Sequence, residues 1–261
     1  GTNSELRQCG ALVPAYTFGP DEPDTKWIGK VKIDEGECGI PNAKRMQFAT
    51  RVFGRVVDNY HQLNPAGVPA ILFAPGVRES IWFAEQFRAA GISSAHIDGE
   101  SVWVNGHIET TSKSARERVL AASKNKDITI LCNRFVLREG IDAPWLSHGI
   151  FATIFGSVQS YLQSGGRLLR ACPGLDRVTI QDHGGNWHRF GSLNADRNWS
   201  LADTPRNVAG LRADRFRNKE EPEPWRCPKC ASIVAGPTCL LCSWQSGTGK
   251  KSRPVIQTDG T

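Results

Sequence analysis

The 261-residue sequence has no run of about 18 apolar residues, which excludes a membrane-spanning helix. Its first residues, Gly1-Thr2-Asn3-Ser4, are polar and lack the apolar core of a secretory signal. Methionine occurs once, at Met46, so the chain is expected to be either processed or a piece of something longer. Two signatures of a nucleotide site are also missing. There is no G-x-x-x-x-G-K-[ST] loop to cradle phosphates and no strand-borne D-E-x-[DH] run to hold magnesium. A G-x-G-x-x-G turn is absent as well, which argues against a dinucleotide-binding enzyme.

What the sequence does contain is a moderate excess of positive charge, +6 with a pI near 9.0, which favours an anionic partner. The length suffices for one sizeable core and a small satellite module. Eight cysteines are unevenly placed: four lie between 227 and 242, and Cys9, Cys38, Cys132 and Cys172 are scattered. A tight cluster in a chain without export signals reads as a metal site in a reducing compartment, so a cytoplasmic location is expected.

Residues 1–43 are rich in glycine, proline and acidic residues, and Pro14, Pro20, Pro23 and Pro41 interrupt any long element, so this stretch is expected to be irregular. From Lys44 the pattern changes. Phe48/Ala49, Val52/Phe53, Val56/Val57 and Tyr60 recur every four residues and predict an amphipathic helix to about His61. Apolar runs at 70–74, 92–97, 128–132, 149–155 and 177–181 predict strands. Helices are predicted between them, from Glu79 to Ala90 with a stop at Gly91, and from a capping box at Ser114-Ala115-Arg116-Glu117 to about Ser123. Strands that are apolar throughout, alternating with helices, imply an α/β fold whose parallel sheet is covered on both faces. Ligands of such sheets bind beyond the carboxyl ends of the strands, and the candidate site is expected on that rim.

Three motifs stand in this frame. Gln163-Ser164-Gly165-Gly166-Arg167-Leu168-Leu169-Arg170 places two arginines three apart behind a glycine pair. On a helix they would share a face, and their planar forks suit phosphate oxygens. Val136 to Pro144 contains Gly140, Asp142 and Pro144 as G-x-D-x-P. A carboxylate there can accept from both ribose hydroxyls, and the glycine permits a tight turn. Asp182-His183-Gly184-Gly185-Asn186 completes the set, with His183 and His188 expected to pack or hydrogen-bond rather than bind metal.

In this order the motifs resemble those of the superfamily 2 helicases of DEAD/DEAH-box type, in bacterial or phage-like form. The resemblance covers the second of the family's two RecA-like motor domains and implies a RecA-like parallel sheet flanked by helices. It makes Arg167 and Arg170 arginine fingers, with Gln163 beside them as a catalytic amide. It also assigns Gly140, Asp142 and Gly166 to nucleotide binding. Many relatives carry Thr or Ser early in the G-x-D-x-P loop to bind nucleic-acid phosphate. Here Asn133 and Arg134 stand in that region, and an amide and a guanidinium can also donate to phosphate.

Cys227-Pro228-Lys229-Cys230 and Cys239-Leu240-Leu241-Cys242 form two C-x2-C turns. Together they supply the four sulfurs of a closed, structural zinc site in a zinc-ribbon or knuckle module. Disulfide pairing or a redox C-x-x-C is the rival reading. Trp225 and Trp244 flank the cysteines and could stack on bases or pack about the metal. The expected organisation is a connecting segment ending in a helix (1–62), the RecA-like domain (63–200), a linker (201–226), the zinc module (227–242) and a flexible basic tail (243–261).

The P-loop and the acidic signature belong to the first RecA-like domain of the resembled family. The chain is therefore expected to be the C-terminal motor domain of an ATP-dependent helicase or translocase and to be inactive alone. ATP and Mg2+ would bind only with the first motor domain, in cis or in trans. The expected partner is nucleic acid, DNA ahead of RNA, with no membrane. The alternative is a non-enzymatic, zinc-containing nucleic-acid-binding adaptor.

Overall fold

The computed structural model describes residues 2–19, 26–29, 31, 37–134, 143–197, 225–234, 238–239 and 242–245. The chain divides into two compact units, 1–198 and 199–261.

The first unit is built on an eight-stranded sheet. Its strands are β1 (Ala15–Phe18), β2 (Ala70–Phe73), β3 (Ser94–Ile97), β4 (Ser101–Val104), β5 (His107–Thr110), β6 (Ile130–Asn133), β7 (His148–Phe151) and β8 (Val178–Asp182). They lie in the order β1-β8-β7-β2-β6-β3-β4-β5. All neighbours from β1 to β3 pair in parallel, whereas β4 and β5 are antiparallel additions. Strands β2, β3, β6 and β7 are buried at every position, as uninterrupted apolar runs require when helices cover both faces.

Those helices are α1 (Asn3–Gln8), α2 (Asn42–Leu63), α3 (Val77–Ala89), α4 (Lys113–Lys124), α5 (Val158–Leu168) and α6 (Asn186–Phe190). In α2 the residues Phe48, Val52, Val56 and Tyr60 are buried at four-residue spacing, which is the face the sequence marks. Helix α3 closes just before Gly91, whose φ of 78° suits a left-handed cap. Gly91 N–H donates to Arg88 O at 3.0 Å, and Ile92 N–H to Phe87 O at 2.9 Å.

Three features differ from the sequence expectations. Part of 1–43 is regular: α1 carries a capping box between Thr2 and Glu5, and β1 joins the sheet beside β8. Helix α4 is capped by Ser112 rather than Ser114. Ser112 holds the extended backbone that ends the preceding strand, and its Oγ accepts from Ala115 N–H at 3.1 Å. The β4–β5 hairpin was not anticipated, although Asn105 and Gly106, both at positive φ, are the pair that favours a tight hairpin turn.

The second unit contains the two-stranded pairing of β9 (Trp225–Arg226) with β10 (Ile233–Val234) and a small core of Cys227, Val234 and Cys239. Expected linker residues 201–224 and tail residues 246–261 lie outside the described residues.

Candidate functional site

Helix α5 starts where Ser157 Oγ accepts from Ser160 N–H at 3.1 Å, and it buries Val158, Tyr161, Ser164, Gly165 and Leu168. Its outer face therefore holds Gln163, which is exposed, with Gly166 and Arg167, which are half-buried. Gln163 and Arg167, four apart, share that face. Arg170 does not, because the helix ends at Leu168. Residues 169–171 instead run antiparallel to 11–13: Val13 N–H donates to Leu169 O at 2.8 Å, and Ala171 N–H to Ala11 O at 3.2 Å. The single helix face expected for the two arginines is thus replaced by a helix end and an extended segment, with exposed Arg170 on the latter.

The rim on which they stand also differs from expectation. Helix α5 leaves the carboxyl end of β7 and returns along the sheet, so Arg167 lies about 14 Å further along the axis. Val13, which anchors Leu169, lies two residues before the start of β1. Both arginines therefore sit towards the amino-terminal edge of the sheet. The described end of the G-x-D-x-P segment, Ala143 and Pro144, lies at the same edge, a few residues before the start of β7 at His148. Gly140 and Asp142 lie outside the described residues. Pro144 is described, and its carbonyl accepts from Cys172 Sγ at 3.3 Å, two residues beyond Arg170. The end of one motif is thus held within hydrogen-bond distance of a residue two positions beyond the other.

The glycine pair in α5 divides by environment. A Cβ on Gly165 would stand 2.6 Å from both methyl carbons of buried Leu193, whereas one on Gly166 would meet nothing within 4 Å. Gly165→Ala is expected to destabilise the fold by about 1–3 kcal/mol through overpacking. Gly166→Ala is expected to leave stability unchanged or raise it by up to about 1 kcal/mol through helix propensity. Denaturant midpoints of the two variants should therefore move in different directions. Equal losses would show that the outer glycine is also packed.

The carboxyl-terminal rim is largely occupied by the protein itself. The connections from β2 and β7 leave in opposite directions, so the crevice between their carboxyl ends is the sheet's switch point. Residues 37–40 lie there. Gly39 N–H donates to Ile154 O at 2.8 Å, Gly156 N–H to Glu37 O at 3.0 Å, and Cys38 bridges Phe155, with Cys38 and Ile40 buried. Asn133 is fully buried and donates from Nδ2 to Leu72 O at 2.8 Å, so it does not face a phosphate, contrary to the sequence expectation. Arg134 does reach the rim. Its guanidinium lies 3.9 Å from Glu37, and burial lowers its pKa to about 10, which leaves it charged at neutral pH.

The last motif acts as a clamp. Asp182 Oδ1 accepts from Gly184 N–H and from Asn186 Nδ2, and its Oδ2 accepts from Trp187 N–H at 2.7 Å. Asn186 also donates to Thr153 O at 2.8 Å and accepts from Phe155 N–H at 2.9 Å, fixing the loop that leads into α5. A Cβ on Gly184 would collide with Thr153 O, so only glycine fits. His183 is buried beside Gln181 and His148. The Gln181 amide oxygen accepts from His148 Nε2 at 2.7 Å and from Tyr60 N–H at 3.0 Å. Its nitrogen donates to His183 Nε2 at 3.0 Å and to Val56 O at 3.2 Å.

Burial pushes both His148 and His183 down to about 3, with Arg55 and His148 adding to the effect on His183. The unfolded chain takes up these protons near 6.5, the folded one only near 3. Stability is therefore complete above that upper value and falls as pH drops through the window, by about 1.4 kcal/mol per pH unit for each histidine. Asp182, raised by burial, partly offsets the loss. Denaturation at pH 7, 6 and 5 should show the decline, and His148→Gln should flatten it by one proton.

Ser80, His96 and Asp98 form another hydrogen-bonded chain, with Ser80 Oγ 2.7 Å from His96 Nδ1 and His96 Nε2 3.2 Å from Asp98 Oδ2. Ser80 is fully buried, so this chain ties α3 to β3 and offers no accessible nucleophile.

In the second unit the Sγ atoms of Cys227, Cys230, Cys239 and Cys242 all lie within 4.8 Å of one another. Cys227–Cys242 and Cys230–Cys239 are 3.4 and 3.5 Å apart. A disulfide requires about 2.0 Å. Four sulfurs around a metal at about 2.3 Å would stand about 3.8 Å apart, so the cluster fits a closed tetrahedral ion. Among the described residues it is the one group with metal-binding geometry, and the histidines form none.

The model of the helicase conserved C-terminal domain matches residues 54–172, from α2 through the arginine segment. Residues 54–172 are thus similar to helicase C-terminal domains. A 51.5 kDa protein of Lactococcus phage (isolate 7-9) is 30% identical over 217 residues, covering 82% of this chain and 44% of its own length. The chain thus spans less than half of that curated relative. A fragment assigned as an HsdR subunit of a type I restriction enzyme from Vibrio vulnificus YJ016 is 14% identical. The match covers 75% of this chain and 37% of that one with a TM-score of 0.51, a likeness of fold. The E. coli DEAD-box protein SrmB matches over 70% of this chain and 84% of its own, at 17% identity and a TM-score of 0.44. The first unit thus combines a RecA-like sheet with an N-terminal strand, and a four-cysteine cluster follows it in the chain.

No helix among the described residues of the chain is long and apolar enough to cross a membrane.

Proposed function

We propose that the chain is the second lobe of an ATP-driven nucleic-acid helicase or translocase and completes a nucleotide site carried mainly by a P-loop lobe. The observation that carries this reading is the approach of Pro144 to Cys172, which joins the G-x-D-x-P loop to the arginine segment at one edge of the sheet. Arg167 and Arg170 reach a γ-phosphate held by the other lobe, with Gln163 and open Gly166 beside them. Gly140 and Asp142 take the ribose. Placing fixed cations where charge develops stabilises phosphoryl transfer. Arg134 grips a nucleic-acid phosphate on the opposite rim. Asn133 has no part in that grip. Mg2+ arrives with the P-loop lobe, and zinc held by the four cysteines is structural.

The test is to assay the purified chain with ATP and single-stranded or duplex DNA. It is expected to bind DNA in a salt-dependent manner and to hydrolyse no ATP until the P-loop lobe is supplied. Turnover by the chain alone would place the nucleotide site within it. DNA binding indifferent to ATP analogues in the completed protein would favour a non-enzymatic adaptor.

A further inference from the structure

The four-cysteine cluster is built from two turns that repeat one another. In the first, Cys227 O accepts from Ala231 N–H at 2.8 Å, and Cys227 N–H donates to Ser232 O at 2.9 Å. In the second, Cys239 O accepts from Ser243 N–H at 2.8 Å, and Cys239 N–H donates to Trp244 O at 2.7 Å. Ala231 and Ser243 even share the left-handed conformation, at φ 58° and 56°. The repeat puts Ser232 and Trp244 in equivalent places, yet their side chains differ in kind. Trp244 is half-buried and packs against the outside of the cluster, whereas Ser232 is 3% exposed.

The Ser232 hydroxyl lies 3.3 Å from Cys230 Sγ and 3.1 Å from Cys239 Sγ, sulfurs that belong to different turns. A buried hydroxyl carries one proton and needs an acceptor for it. Four thiolates around a divalent cation leave a net charge of −2 on the centre, and thiolates only accept. A donor directed at two of them therefore draws the turns together and offsets part of that charge.

We propose that Ser232 is a positioning residue of the metal centre: its hydroxyl donates to the Cys230/Cys239 sulfur pair and raises the affinity of the four-cysteine site for a soft divalent cation. This rests on the metal reading of the cluster. The test uses the full chain, reduced and metal-free, titrated with Co2+ and then competed with Zn2+. The unaltered chain should give the absorption of a tetrahedral four-sulfur cobalt centre. Ser232→Ala should bind cobalt about 10–100-fold more weakly and shift the sulfur-to-cobalt charge-transfer band to lower energy, because a thiolate without its hydrogen bond is a better electron donor. Ser232→Thr, which keeps the hydroxyl, should restore both. If the unaltered chain gives no such spectrum, the metal reading fails and this inference with it. If it does and Ser232→Ala matches it in affinity and band position, the role of Ser232 alone fails. Weaker binding with no band shift and no rescue by threonine would reduce Ser232 to a packing residue and would equally overturn the proposal.

Discussion

Replacing Arg170 by alanine in the complete two-lobed protein is expected to lower ATP turnover about a thousandfold or more while nucleic-acid affinity stays within a few fold. The split follows from where the residue lies. Arg170 is exposed in an extended segment whose backbone is held by residues 11–13, so truncating its side chain leaves that backbone pairing intact. It stands at the amino-terminal edge of the sheet, whereas Arg134 stands on the carboxyl-terminal rim. A thousandfold loss corresponds to about 4 kcal/mol of transition-state stabilisation, the order supplied by a guanidinium placed on developing phosphoryl charge. Steady-state ATP hydrolysis and DNA binding by anisotropy, measured on the same variant, decide the matter. Comparable losses in both would make Arg170 a nucleic-acid contact. Arg167→Ala is expected to behave alike, although its place in the last turn of α5 makes its reach more rigid.

Removal of metal should have an equally large effect, confined to the second unit. Among its described residues that unit has a core of three buried residues, two of them cysteines, around a pair of two-residue strands. So small a core cannot offset the entropy of ordering the chain. A four-thiolate zinc ion would contribute on the order of 10 kcal/mol at neutral pH, which would make metal binding and folding of this unit one event. Treatment with a strong chelator, or Cys239→Ser, is expected to make the region around 225–245 sensitive to proteolysis while the melting of the first unit is unchanged. A resistant, metal-free module would show that hydrogen bonds and packing suffice.

The central strands and α2 and α3 were legible because each is long or strongly patterned, and burial on both sheet faces leaves uninterrupted apolar runs. Two sequence signals misled. Ser114 precedes a glutamate at capping-box spacing, but the helix start was set by Ser112, the residue left extended by β5. Asn133 offered an amide at the expected place in the loop, but it is the last residue of a central strand and lies wholly inside. The prolines of the N-terminal stretch concealed β1, which survives because it pairs on one side only, at the sheet edge.

The sequence by itself determined the parallel α/β core, the three motifs in their order and the four sulfurs in two matched turns. These depend on local spacing and on the identity of the reactive groups. The tertiary structure alone decided which edge of the sheet the arginines occupy, that Pro144 meets Cys172, that residues 37–40 fill the switch-point crevice, and that Ser232 stands between the sulfurs of two different turns. Each of these depends on where a return path or a buried side chain ends up in space. Such long-range placement is set by packing among residues distant in sequence, which no local pattern records.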